Sequence, residues 1–306
     1  MQLSDFCILS ILDIIASMKK KLALITLLFS ALLSAQTKSV VSIVPEQTFA
    51  KKIGGDAIEV ATMVMPGDSP HTYEPKPSQM RQISDADLYF AIGVEFENVW
   101  LPKFKDLNPH LAVIDVTKGI EKIPMVAEDH EEEHHDDHEQ HHAHNGLDPH
   151  VWTAPSNVRI ISSNIADALI QADPSHEKAY RQGVAAWLSE VNATDEKIRQ
   201  ILSTVPKGTK FMVFHPSWGY FAKEYGLVQL PVEIEGKAPK PKALIRLIQE
   251  ARRQKVRAIF TQPEFSDTSA QIIAKELGIP VIKVSPMAAD WSANLIRIAK
   301  AIAGGA

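Results

Sequence analysis

The chain has 306 residues, 45% hydrophobic and 23% charged, an ordinary globular composition at a length that suits two lobes of normal domain size. Its formal net charge of -5 and the lack of any basic face interleaved with aromatic residues exclude nucleic acid as an expected partner. The single cysteine, Cys7, lies near the start, so the rest of the chain can form neither a disulfide nor a thiolate metal ligand.

Met18-Lys19-Lys20-Lys21 is a positive segment, Leu22 to Leu33 a short apolar run, and Ser34-Ala35 a small-residue end. The pattern predicts a secretory signal peptide over residues 18–35, cut after Ala35. The apolar run is shorter than the ~18–20 residues a membrane span needs. Residues 1–17 read as an upstream extension, with Met18 as the true start. No cysteine follows the apolar run to carry a lipid, so a free periplasmic protein is expected rather than a lipoprotein.

From Ser39 onward, short apolar runs alternate with helical patterns. Strands are predicted at Ser39–Val44, Ile58–Met63, Leu88–Ile92 and Ala112–Val116, with helices at Phe49–Gly54, Ser78–Ala86 and Phe96–Phe104 between them. Such alternation implies a parallel sheet covered on both faces. Composition then changes abruptly. Asp129 to His144 holds seven histidines among Asp and Glu with almost no apolar residue, so it cannot pack as core. Residues 120–145 are read as a long, mobile surface loop, its histidines either a weak metal collector or sensor or a solvated acidic stretch with incidental metal affinity.

Pro155 opens a helix reaching Ala172. Asp173-Pro174 reads as an N-cap followed by proline at the first helical position, starting a helix that runs to about Thr204. At 1.5 Å per residue it would be ~45 Å long, enough to join two lobes stiffly. The alternation then resumes. Strands are predicted at Phe211–Phe214, Leu227–Pro231, Ala258–Thr261 and Val281–Val284, and helices at Gly219–Tyr225, Pro241–Gln254, Ser269–Leu277 and Ala293–Ile302. The reading is an α/β fold: two lobes with parallel sheets flanked by helices, 36–172 and 206–306, joined by one long rigid helix within 173–205.

Five histidines lie outside the rich segment: His71, His110, His150, His176 and His215. Ligands of open α/β sheets bind outside the carboxyl ends of the strands. His71 follows a strand in a turn rich in proline and glycine. His215 caps the strand Phe211–Phe214, and His150 follows Asp148-Pro149. A hydrogen-bonded structural histidine is the common alternative for any one of them, but three in such turns, split between lobes, point to a metal site. His110 and His176 read as solvated surface residues.

The stretches Gly67-Asp68-Ser69-Pro70-His71-Thr72-Tyr73-Glu74-Pro75, Asp148-Pro149-His150-Val151-Trp152 and Phe214-His215-Pro216-Ser217-Trp218-Gly219-Tyr220-Phe221, in this order, resemble the metal-binding solute-binding proteins of zinc and manganese ABC importers, often called cluster A-I. The signal peptide and the long middle helix match as well, and zinc-specific members also carry an acidic His-rich loop before the second ligand. The resemblance implies an ion held between two lobes by His71, His150 and His215 and passed to an ABC permease in the inner membrane by a monomeric carrier. It also implies a carboxylate from the second lobe, at a Glu before Pro-Gln-Phe or an Asp before Pro-Leu-Gly. Here those positions hold Gln262 and Ser285, and Glu264 or Asp290 could replace them only with a change in backbone path. Three histidines plus water, or plus a carboxylate that the sequence does not place, are therefore expected. Imidazoles suit zinc, copper, iron and nickel, whereas manganese favours oxygen, so Zn(2+) is the expected cargo, with iron, copper and nickel as the alternatives. The competing readings are a zinc-dependent hydrolase, since three histidines with an open position also describe a catalytic zinc, and a metal-binding adhesin or scavenger on the same fold. No His-Glu-x-x-His supports the hydrolase.

Overall fold

The computed structural model describes residues 36–125, 146–233 and 237–304. The upstream stretch 1–17, the signal peptide 18–35 and all seven histidines of the rich segment lie outside the described residues. No described helix is long and apolar enough to cross a membrane.

Residues Thr37–Ala306 form one compact unit containing two four-stranded, all-parallel sheets. The first consists of β1 (Thr37–Ile43), β2 (Ile58–Val64), β3 (Leu88–Ala91) and β4 (Ala112–Asp115), in the order β2-β1-β3-β4. The second consists of β5 (Lys210–Val213), β6 (Val228–Pro231), β7 (Ile259–Thr261) and β8 (Val281–Lys283), in the order β6-β5-β7-β8. The two orders are the same pattern written twice. Each sheet reverses direction beside its first strand, and that reversal opens a crevice at the carboxyl ends of the strands.

The connecting helices are α1 (Val44–Gly54), α2 (Pro77–Ser84) and α3 (Glu95–Leu107), then α4 (Pro155–Ala172) and α5 (Glu177–Leu202), then α6 (Gly219–Tyr225), α7 (Pro241–Arg253), α8 (Thr268–Leu277) and α9 (Trp291–Ala303). Proline stands in the first turn of α1, α2, α4 and α7, where its missing N–H costs nothing. The elements agree with the expected ones to within a few residues, apart from α1, which starts at Val44 rather than Phe49. The long helix begins later than expected as well. Pro174–His176 form a 3-10 turn, and α5 starts at Glu177, so its 26 residues span ~39 Å at 1.5 Å each. Asp173 organises this entry, accepting from Ser175 Oγ, His176 Nδ1 and Tyr180 Oη. His176 is consequently half-buried and paired, not merely solvated, whereas His110 is exposed as expected.

Period-two alternation places the cores. Phe211 and Val213 of β5 join the main apolar cluster, while Met212 and Phe214 face a second cluster with Leu247, Ala251 and Ile273. Successive side chains on a strand point to opposite faces, so each face of the second sheet is packed. The main cluster continues into the first sheet. At its centre Phe49 of α1, Trp187 of α5 and Trp291 of α9 meet, with ring centroids 5.4 to 5.8 Å apart. The long helix is thereby clamped between α1 and the last helix. Trp291 Nε1 donates to the Trp152 carbonyl and Trp152 Nε1 to the Pro286 carbonyl, each at 2.8 Å. These bonds tie the start of α9 and the β8 loop to the turn that follows His150.

Candidate metal centre

The carboxyl-end loops of both sheets converge on one point. His71 lies after β2, His150 between β4 and α4, and His215 two residues after β5. One ring nitrogen of each lies within 4.8 Å of the other two, and His71 Nε2 stands 3.0 Å from His215 Nε2. Nitrogens bound to one tetrahedral zinc at ~2.0–2.1 Å would stand ~3.3–3.4 Å apart, so these two rings need open only by a few tenths of an ångström to accept the ion.

Local structure aims each ring. The loop bearing His71 turns at Gly67, whose φ of +93° suits glycine and few other residues. Tyr73 Oη then donates to Gln79 Oε1, and Gln79 Nε2 donates to the carbonyls of Thr62 and Met63 at the end of β2. His150 is held by its own neighbours: its backbone N–H donates to Asp148 Oδ1 and its carbonyl accepts from Thr153 Oγ1. Tyr220 Oη, from the second half of the chain, donates to the Asp148 carbonyl at 2.8 Å. His215 has the firmest seat. Its N–H donates to Gln262 Oε1, its carbonyl accepts from Gln262 Nε2, and Phe265 stacks on its ring at 4.9 Å.

Behind every imidazole stands a carboxylate. Asp148 Oδ1 lies 2.7 Å from His150 Nδ1, Glu233 Oε1 2.7 Å from His215 Nδ1, and Glu95 Oε2 2.9 Å from His71 Nδ1. The first two are well-formed hydrogen bonds. The third is at ion-pair distance but off hydrogen-bond alignment, leaving both atoms without a formal partner. A carboxylate can only accept, so Nδ1 of His150 and of His215 carries the proton and Nε2 of each presents a lone pair. Burial pushes the Glu95 carboxyl up, but His71, the local backbone and His150 together outweigh it and leave the group below the ordinary carboxylate value. Burial pulls His215 down to about 4, against the opposing pull of Glu233. His215 is therefore neutral and ready to ligate at neutral pH.

Sequence reasoning singled out the three imidazoles and missed the three acids behind them, which would offset the charge of a dication held by the rings. Their signal was present: Glu95 and Glu233 each follow a strand end and Asp148 precedes His150 by two residues. Glu95 is aimed by the β3–α3 turn, where the Glu97 carboxylate accepts from the N–H groups of Ile92 and Gly93. Of the two alternative acids considered from sequence, Asp290 is spent on capping α9 by accepting from the Ala293 N–H. Glu264 lines the cavity that the three histidines also line.

The family model described as zinc-uptake complex component A, periplasmic, matches residues 40–304. The high-affinity zinc uptake system protein ZnuA of Bacillus subtilis is 30% identical over 238 residues, covering 76% of this chain and 73% of that protein. The iron-binding protein YfeA of Yersinia pestis is 28% identical over 237 residues, covering 76% and 71%. A crystal structure of ZnuA aligns with a TM-score of 0.78 at 38% identity, covering 88% of this chain and 98% of its own, and a zinc-bound deletion variant of ZnuA does so with the same figures. The match spans both sheets and the long helix between them, and on that ground the chain belongs to the periplasmic component A family of zinc-uptake complexes.

Proposed function

We propose that this chain is the periplasmic solute-binding component of an ABC importer, capturing Zn(2+) with His71, His150 and His215 and delivering it to a membrane permease. The observation that carries the reading is the convergence of three imidazoles, one ring nitrogen of each within 4.8 Å of the other two, with each Nδ1 facing a carboxylate. That arrangement offers one cation three nitrogen donors, and nitrogen donors suit zinc better than manganese. The names of zinc-uptake relatives agree with it.

The protein binds its ion and does not turn over a substrate. The cavity lined by the histidines measures about 20 Å³, room for a water-sized ligand. Every shell residue comes from one chain, so a monomer suffices. Cys7, the single cysteine, precedes the signal peptide. The mature protein is accordingly free in the periplasm rather than lipid-anchored. The lobes 36–172 and 206–306 close on the ion with small movements, because the helix between them is clamped by α1 and α9.

Zinc titration of the purified protein against a chromophoric chelator, with element analysis of the bound metal, tests the reading. One tightly bound zinc per chain is expected. A chain that holds no metal tightly, or whose His71→Ala variant holds zinc as tightly as the parent, would overturn the assignment.

A further inference from the structure

The two positions where the family resemblance implies acids are both occupied by other duties. Gln262 spends every polar atom on the His215 loop: Oε1 accepts from His215 N at 3.2 Å, and Nε2 donates to His215 O at 2.8 Å and Ser217 Oγ at 2.9 Å. A glutamate there could make neither donation. Ser285 Oγ accepts from Met287 N at 3.0 Å and donates to Glu264 Oε1 at 3.1 Å. Both side chains are thus braces. The acid of this stretch stands two residues further along, in Gln262-Pro263-Glu264, and Ser285 holds one of its oxygens.

The other oxygen of Glu264 is buried with no hydrogen-bond partner. Glu264 lines the same cavity as the three histidines, together with Ser69, Pro70, Trp152, Phe265, Pro286 and Met287. Most of that wall is apolar. Ser69 Oγ already accepts from His71 N, and Trp152 Nε1 already donates to Pro286 O. A desolvated carboxylate oxygen without a donor is costly, and no protein donor reaches this one. The carboxylate is not part of the cluster of ligand atoms lying within 4.8 Å of one another, which among the described residues contains the three histidines alone. At about 20 Å³ the cavity has room for one water.

We propose that Glu264 completes the metal shell from outside it, accepting through its free Oε2 a hydrogen bond from the water in the fourth coordination position of the captured zinc. The proposal rests on the reading of the three histidines as the zinc site. It gives the fourth ligand a fixed place and adds one more carboxylate to those of Asp148, Glu95 and Glu233. Ser285 is the positioning residue that turns Oε2 inward.

The test compares the parent protein with Glu264→Gln, Ser285→Ala and His71→Ala. Zinc affinity is read by chelator competition, the fold by melting of the metal-free proteins, and coordination by the visible spectrum of the cobalt(II)-loaded forms. Loss of an outer partner typically costs 10–100-fold in metal affinity, and Glu264→Gln is expected to lose about that much, with altered cobalt bands and unimpaired metal-free melting. Ser285→Ala keeps the charge but frees the carboxylate, and should lose roughly 2–10-fold, the worth of one ordinary hydrogen bond. If Glu264→Gln binds zinc as tightly as the parent while His71→Ala does not, the inference fails and the three-histidine site stands. If both bind as tightly as the parent, the site itself is wrong. Should Glu264→Gln melt early without metal, Ser285→Ala decides: unchanged affinity overturns the proposal and a loss in the stated range supports it.

Discussion

The two histidines that nearly touch across the site are held very differently. His71, from the first sheet, has a side chain 17% exposed, and its partner Glu95 is 36% exposed. His215, from the second, is 7% exposed with Glu233 at 6%. His215 is fixed by Gln262 at both backbone ends and by the Phe265 ring, whereas His71 rides on a longer loop tied through Tyr73 and Gln79. The contrast separates two tasks. One wall is a desolvated anchor, in which a hydrogen bond to a charged group counts heavily. The other is the more exposed side, by which an ion can approach.

The largest effect should come from deleting a donor. His215→Ala and His71→Ala should each lower zinc affinity by more than ~100-fold, beyond the 10–100-fold typical for loss of an outer partner, in chelator competition. The acids behind the rings test the asymmetry directly. Glu233→Gln should cost in that 10–100-fold range, whereas Glu95→Gln should cost less than ~10-fold, its contact being misaligned and its side chain the more exposed of the two acids. Equal losses would erase the distinction between the two walls. A third substitution reaches the remaining histidine indirectly. A Cβ on Gly219 would stand 2.6 Å from Asp148 Oδ2, so Gly219→Ala must displace the carboxylate that orients His150. Calorimetry should show roughly several-fold weaker zinc binding, below the full loss of an outer partner.

The smallest effect concerns pH. His215 has a folded-state value of about 4 against ~6.5 for an ordinary histidine. Between these values the unfolded chain takes up a proton that the folded chain refuses. The metal-free fold therefore loses stability as pH falls from about 6.5 toward 4 through this residue, and the contribution is constant above that window. Melting of the metal-free protein and of His215→Gln should converge over that window on acidification. In the parent, the His215 ring proton shift should stay flat from pH 7.5 to 5, and a midpoint near 6.5 would contradict the burial argument.

Much of this was legible in the chain. Alternating apolar runs located all eight described strands, because the inner strands of a helix-covered parallel sheet are apolar along their length and the edge strands remain largely so. The turns around His71, His150 and His215 marked where strands hand over to loops. The acids were harder. Glu95 and His71 follow β3 and β2, which are not neighbours but flank β1, and nothing in the spacing of residues 71 and 95 states that order. Glu233 faces His215 only because β6 lies beside β5. The later start of the long helix has a local cause: the Asp173 side chain gathers three donors in the turn before it, and a 3-10 turn suits that better than a helical one. The exchange of acid and amide between Gln262 and Glu264 was visible in the sequence. Its meaning was not, because it depends on which carbonyl each side chain reaches.

Almost every residue of the centre, from His71, Glu95 and His215 to Glu233, Gln262, Glu264 and Ser285, sits beyond the carboxyl end of one of six strands, Gln262 and Glu264 sharing β7. Ligand chemistry is thereby separated from folding. A substitution in one such loop changes one donor, while the strands that carry it keep their register and their apolar contacts. The same two sheets can then be re-equipped for another ion one loop at a time, and relatives described as binding iron and as taking up zinc stand at similar distances from this chain. The exchange between positions 262 and 264 would be one such step: an acid moved along a single loop while both sheets stayed as they were.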